Sequence, residues 1–75
     1  MNARETPEAA GLVMRRDGKY EEPLGDNWTA EYSANQQTGL WDVEVFKHDV
    51  AEWREVDIDS LEEARRAARD FYDQA

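Results

Sequence analysis

The chain of 75 residues contains no cysteine, only two prolines and one histidine, and no long apolar run. The absence of cysteine excludes a disulfide framework, a cysteine-ligated zinc site and thiol catalysis. No segment approaches the roughly 20 apolar residues that a transmembrane helix requires, and no signal peptide is recognisable. We therefore expect a cytoplasmic protein that does not bind membranes.

The length accommodates a single small domain. The polar residues 1–5 are predicted to form a flexible tail, and residues 6–75 the folded domain. A domain of this size buries only about 60% of the surface that its unfolded chain exposes. Its core is therefore thin, with little room for the cleft that an enzyme would need to raise the pKa of a catalytic carboxyl group.

Residue patterns that would indicate a catalytic or metal site are missing from the sequence. His48 has Asp49 beside it in a predicted turn, but no nucleophile or set of metal ligands is spaced around it. Asp57 and Asp59 resemble the start of a calcium loop, yet Glu62 stands where that loop requires glycine. We therefore predict that the protein is not an enzyme and holds no cofactor or metal.

Three segments of the chain alternate apolar and polar residues, as half-buried β-strands do. They cover Trp28–Ser33, Leu40–Lys47 and Glu52–Ile58, and residues 21–27 before them have the composition of a connecting loop. In the third segment the alternation points Trp53 to the solvent side, unless a β-bulge turns it inward. The predicted inward residues are Trp28, Ala30, Tyr32, Trp41, Val43, Val45, Val56 and Ile58, and the predicted outward acids are Asp42, Glu44, Glu55 and Asp57.

The C-terminal segment predicts an amphipathic helix. Ser60-Leu61-Glu62-Glu63 matches a capping box, in which the serine caps the helix and the second glutamate reaches back to it. Apolar residues then recur at helical spacing as far as Phe71, with small alanines in the middle of the stripe. We predict that this helix lies close against one face of the three antiparallel strands and leaves the other face to solvent or to a partner.

The N-terminal part of the chain permits two interpretations. Thr6 and Pro7 are typical of a helix start and Asp17-Gly18 of a helix end, which favours a helix between them. The rival interpretation is a hairpin of Leu12–Arg16 and Lys19–Glu22, turned by Asp17-Gly18. The predicted fold is therefore α+β, with a three-stranded antiparallel sheet, a C-terminal helix packed on one face, and an N-terminal helix or hairpin.

Acidic residues dominate the charge of the chain. Eighteen acids against nine bases give a formal net charge of −9, which disfavours direct binding to nucleic acid. The excess is greatest between Asp42 and Glu63, where nine acids meet two bases. Residues i and i+2 of a strand project from the same face about 6.7 Å apart. On that basis the uncovered face is predicted to carry a paired ladder of carboxylates, formed by Asp42, Glu44, Glu55 and Asp57.

The order of the predicted elements resembles a known DNA-binding domain. Three strands followed by a helix that opens Ser60-Leu61-Glu62-Glu63-Ala64 resemble the small strand–strand–strand–helix domain at the front of phage integrases. That family reads DNA with a basic sheet face. The corresponding strands of this chain are acidic, so the resemblance implies the fold and does not extend to DNA binding.

The general character of the chain resembles a second group, the small acidic phage proteins that block bacterial defence as anti-CRISPR or anti-restriction inhibitors. The shared features are the chain length, the absence of cysteine and of enzyme motifs, and the acidic run Asp42–Glu63. Several members of that group occupy the positively charged DNA-binding groove of a host complex. The resemblance implies a phage-encoded inhibitor that acts in the host cytoplasm, and it assigns no role to any single residue.

The leading hypothesis is a protein-binding module whose carboxylates contact the basic surface of a host nucleic-acid-binding protein or complex. Trp53 is its predicted apolar anchor, because an aromatic residue ringed by charge is typical of interface hot spots. The alternative is a small structural or oligomerising domain of a host protein, which forms a homodimer through its bare sheet face and is acidic for solubility. The candidate partner-binding residues are Asp42, Glu44, Glu55, Asp57, Asp59, Glu62, Glu63 and Trp53.

Overall fold

The computed structural model describes residues 11–75, which form one antiparallel sheet and one helix. The strands are hydrogen-bonded in the order β1-β2-β3-β4-β5, so every strand pairs with its neighbours in sequence and β1 and β5 are the two edges. The α+β class agrees with the prediction, but the predicted number of strands is wrong, since the sheet has five and not three. The elements are β1 (Val13–Met14), β2 (Tyr20–Gly25), β3 (Trp28–Ala34), β4 (Trp41–Lys47), β5 (Val50–Ile58) and α1 (Leu61–Gln74).

The first additional strand lies where a helix was favoured. Val13 pairs with Glu21 across an antiparallel hairpin, and the Arg15 N–H donates to the Lys19 carbonyl oxygen at 2.7 Å. Gly18 supplies the positive φ of +85° that the turn requires. Over the described residues the helix interpretation is therefore wrong and the rival hairpin is right. The predicted helix start at Thr6 and Pro7 and the predicted tail over residues 1–5 lie outside the described residues.

The second additional strand, β2, was predicted as a loop because it contains Pro23 and Gly25. The side chains of β2 nevertheless project alternately from the two faces of the sheet. Tyr20 pairs with Tyr32 of β3, and Glu22 pairs with Ala30. The register shifts between Pro23 and Gly25, where a proline without an N–H donor is tolerated. Strand pairing therefore overrides the loop composition of this segment.

The core lies between the sheet and α1, which packs on β3, β4 and β5. Ala64 and Ala68 are fully buried, so the helix approaches the sheet through its smallest side chains, as predicted. The helix begins where the sequence predicted, because the Glu63 N–H donates to the Ser60 hydroxyl oxygen at 3.1 Å. The buried apolar residues are Leu12, Leu24, Ala30, Tyr32, Val43, Val45, Ile58, Leu61, Ala64 and Ala68.

An aromatic cluster closes the core at the C-terminal end of α1. The Trp53 and Phe71 rings stack with their centroids 5.1 Å apart and an interplanar angle of 11°. Trp28 meets Phe71 and Tyr72 edge-on at 6.2 and 5.8 Å. Trp28 also lies under the Lys47 ammonium group, which is 5.4 Å from its ring centroid. Four aromatic side chains therefore pack together to hold the end of the helix on the sheet.

Candidate functional site

The register between β4 and β5 separates the acids that were predicted to share one face. Glu55 lies opposite Val43, whose side chain is buried beneath the helix, while Arg54 lies opposite Glu44. Residues opposite one another in a sheet project from the same face. Asp42 and Glu44 therefore lie on the uncovered face, and Glu55 projects from the helix-covered side at the sheet margin. The predicted four-residue ladder is wrong.

Two β-bulges in β5 change which of its residues face the helix, and the predicted ladder depended on that alternation. The pairing moves from Val45↔Trp53 to Phe46↔Ala51, so one extra residue is inserted in β5. A second shift separates Val43↔Glu55 from Trp41↔Ile58. The first of these bulges places Trp53 opposite Val45, on the helix side, which is the alternative that the sequence left open. Trp53 is half-buried against Phe71, and it is not the exposed anchor that was predicted.

The uncovered face carries charges of both signs. Glu21, Glu31 and Glu44 form one cross-strand row through β2, β3 and β4, and the row ends at Arg54 of β5. The Arg15 guanidinium forms a short ion pair with Glu31, and the attraction to Glu31 raises the pKa of Arg15. The chain's own cations therefore partly neutralise this row. Glu21 and Glu31 were missed as members of a row because β2 was interpreted as a loop.

The remaining predicted acids follow one another closely along the chain, and we call them the acidic edge. They occupy the second half of β5, the bend that follows it and the first turn of α1, and all five are exposed. No cation among residues 11–75 forms an ion pair with any of them within 4 Å. The acidic edge consists of Glu55, Asp57, Asp59, Glu62 and Glu63.

The backbone geometry at the centre of the acidic edge is unusual. Asp57 has a φ of +59°, a left-handed conformation that aspartate and asparagine adopt more readily than most residues. Its N–H donates to a carboxylate oxygen of Asp42 at 3.3 Å. This contact connects the edge to the uncovered face and holds the bulge in place. Asp42 therefore has a structural role as well as a charge.

Two of the three arginines of α1 form ion pairs with Glu22 of β2. Arg65 donates to both oxygens of Glu22 at 3.3 and 2.7 Å, and Arg69 approaches Glu22 at 3.9 Å. The Tyr32 hydroxyl donates to the same carboxylate at 2.7 Å. Within residues 11–75, Arg65 and Arg69 therefore form their ion pairs with Glu22 and not with the carboxylates of the acidic edge.

The environment of Glu22 favours its ionised form. Burial alone would raise the pKa of Glu22, but the hydrogen bonds from Arg65 and Tyr32 and the attraction of Arg65 and Arg69 outweigh burial and lower it. Burial and the bond to Glu22 both raise the pKa of Tyr32 well above its ordinary value, so the tyrosine stays a donor. The network is a structural ion cluster that joins β2, β3 and α1.

Comparisons with other proteins leave the function to be argued from the molecule itself. No protein-family model, curated protein or solved structure matches the chain. Within residues 11–75 no helix is both long and apolar enough to cross a membrane. In the same part of the chain, no group of three or more histidine, aspartate or glutamate side chains is arranged to hold a metal ion.

Proposed function

We propose that the chain is a non-enzymatic protein-binding module that inhibits a nucleic-acid-binding protein by presenting the acidic edge to its basic surface. The proposal includes the class of target implied by the resemblance to phage inhibitors, namely a bacterial defence complex. The observation that carries it is the acidic edge itself, five exposed carboxylates for which residues 11–75 supply no ion-paired cation.

Electrostatics favours this surface as the contact site. The five carboxylates fall within nine consecutive residues, Glu55–Glu63, which contain no base. Their spacing along a strand and a helix turn produces a concentrated negative potential, which steers a positively charged partner and increases the rate of association. No ion pair among residues 11–75 has to break before these carboxylates bind a partner. The acidic edge is therefore better suited to a basic groove than the mixed-charge row on the uncovered face.

The alternative function, a homodimer through the uncovered sheet face, has less support from the arrangement of charge. A second copy on that face would have to desolvate Glu21, Glu44 and Arg54 together with the Arg15–Glu31 pair. Phe46 is the one residue of β4 on that face that offers a large apolar surface, and it is half-buried. Light scattering at low and high salt tests this alternative directly, since a dimer that persists in high salt would favour it.

The test uses two triple variants that change the net charge equally. The edge variant combines Glu55→Lys, Asp59→Lys and Glu62→Lys. The control variant combines Asp26→Lys, Asp70→Lys and Asp73→Lys, which are exposed acids outside the acidic edge. Each reversal adds two units of charge, so three reversals take the formal net charge from −9 to −3 in both proteins. Asp57 is left unchanged because its φ of +59° lies in the left-handed region, which aspartate adopts more readily than lysine. Glu63 is left unchanged so that both variants carry three reversals.

The assay measures DNA binding by a panel of restriction and CRISPR complexes, by fluorescence anisotropy, with and without the chain over a range of salt concentrations. We expect the wild type and the control variant to displace DNA from at least one complex, with inhibition that weakens as salt increases. The edge variant should lose this inhibition. The proposal is wrong if no complex loses DNA or if the edge variant inhibits as well as the control variant.

A further inference from the structure

The backbone of β5 forms an open edge of the sheet next to the acidic edge. β5 is the longest strand, with nine residues, and within residues 11–75 no strand pairs with its outer side. An edge strand presents unpaired N–H and C=O groups to any chain that can align with it. Seven of its nine residues are exposed, so α1, which packs on the sheet face, does not cover this side.

The charges on β5 decide which chain can align with it. Glu52, Glu55 and Asp57 belong to the strand, and Arg54 is its single base. A second copy of β5 would bring these acids close to the same acids of its partner, and like charges opposite one another destabilise a sheet. An extended segment rich in lysine and arginine would place opposite charges there. Charge complementarity therefore selects a basic strand and rejects self-pairing.

We infer that β5 binds an extended, Lys/Arg-rich segment of the partner protein by strand addition. This inference rests on the proposed function and specifies how the partner is held. Main-chain hydrogen bonds to the outer side of β5 provide part of the affinity, and the acidic edge provides the selection for basic side chains. Between the two β5 bulges, regular pairing with β4 is limited to Trp53–Glu55, so the added strand is short.

The experiment uses a synthetic eight-residue peptide of alternating lysine and valine and follows the backbone amides of the full chain by NMR. We expect the largest shift changes in Trp53–Glu55. A second peptide has the same sequence but is N-methylated at its four central amides, which removes their donors and keeps the charge. Its affinity should be at least roughly tenfold lower, which corresponds to about 1.4 kcal/mol. An alternating glutamate–valine peptide should not bind.

The outcomes separate this inference from the proposed function. Strand addition is overturned if the N-methylated peptide binds as well as its parent, or if the shift changes map outside β5. Neither result affects the proposed function, which is tested separately by the loss of inhibition in the edge variant. If the parent peptide does not bind, strand addition is likewise overturned. If the chain dimerises through β5 in the absence of peptide, a second copy is the occupant and the inference is wrong. The control variant should bind the parent peptide like the wild type.

Discussion

Replacing Glu22 by glutamine tests how the helix is held on the sheet. The Glu22 side chain is only 12% exposed and accepts hydrogen bonds from Arg65 and Tyr32. Hydrogen bonds that involve a charged group each contribute about 1.5–3 kcal/mol, and glutamine keeps an acceptor but loses the charge. We therefore expect the free energy of unfolding to fall by about 2 kcal/mol. For a domain of this size that lowers Tm by roughly 8–16 °C.

Glu21→Gln is the matched control, because it removes the same charge from the adjacent residue, whose side chain lies on the opposite face of β2. Glu21 lies beside Glu31 in the register, so its neutralisation should change the stability by less than about 0.5 kcal/mol. Thermal and urea unfolding, followed by circular dichroism, measure both variants. Equal stability of the Glu21→Gln and Glu22→Gln proteins would refute the structural role of the network.

The dependence on pH gives a second readout for the same network. The folded state lowers the pKa of Glu22 below its ordinary value of 4.5, so the ionised carboxylate contributes stability at pH values above about 4.5. That contribution is lost as the pH falls through the lower pKa of the folded state. The difference in stability between wild type and Glu22→Gln should therefore be constant near neutral pH and shrink in acid. A difference that stays constant down to pH 2 would contradict this reasoning.

Substitutions in three further parts of the fold test individual features of it. Gly25→Ala should destabilise the protein by about 1–3 kcal/mol in urea unfolding, because an added Cβ would clash with the Tyr72 hydroxyl at a backbone φ of +154°. An unchanged midpoint would mean that Tyr72 is free to move. The double variant His48→Asn, Asp49→Gly should stabilise the β4–β5 turn by about 1 kcal/mol. Both positions have a positive φ, of 50° and 65°, which asparagine and glycine adopt more readily than the present residues. A lower Tm would argue against this turn geometry. Ser60→Ala should cost about 1 kcal/mol and Ser60→Asp should restore most of it; no loss on Ser60→Ala would mean that the cap contributes nothing.

The elements that the sequence predicted well are those in which local and tertiary preferences agree. The helix start is determined by the Ser60 hydroxyl oxygen, which accepts from a backbone N–H only three residues later, and β3 and β4 are determined by a regular period-two alternation. The sequence left β1 open between a helix and a hairpin and predicted a loop over most of β2, because the pairing of both strands depends on neighbours along the sheet. Neither the two-residue Val13–Met14 strand nor a strand containing Pro23 has a strong signal of its own.

The candidate site was only partly predictable for a related reason. The acidic run was visible in the sequence, but the faces from which the acids project depend on two bulges in β5, and each inserted residue reverses the alternation that follows it. The inward Trp53 was the one local sign of the first bulge. The role of Glu22 had no signal in the sequence, because it depends on Arg65, which is 43 residues away in the chain.

The most direct test of the account is the concentration at which the edge variant and the control variant half-inhibit DNA binding by the same target complex, measured side by side at one low salt concentration. Because like charges placed against a basic surface cost several kcal/mol, we predict that the edge variant requires at least roughly tenfold more protein than the control variant. The control variant should match the wild type within about twofold. Equal values for the two variants would contradict the claim that Glu55, Asp59 and Glu62 form the binding surface.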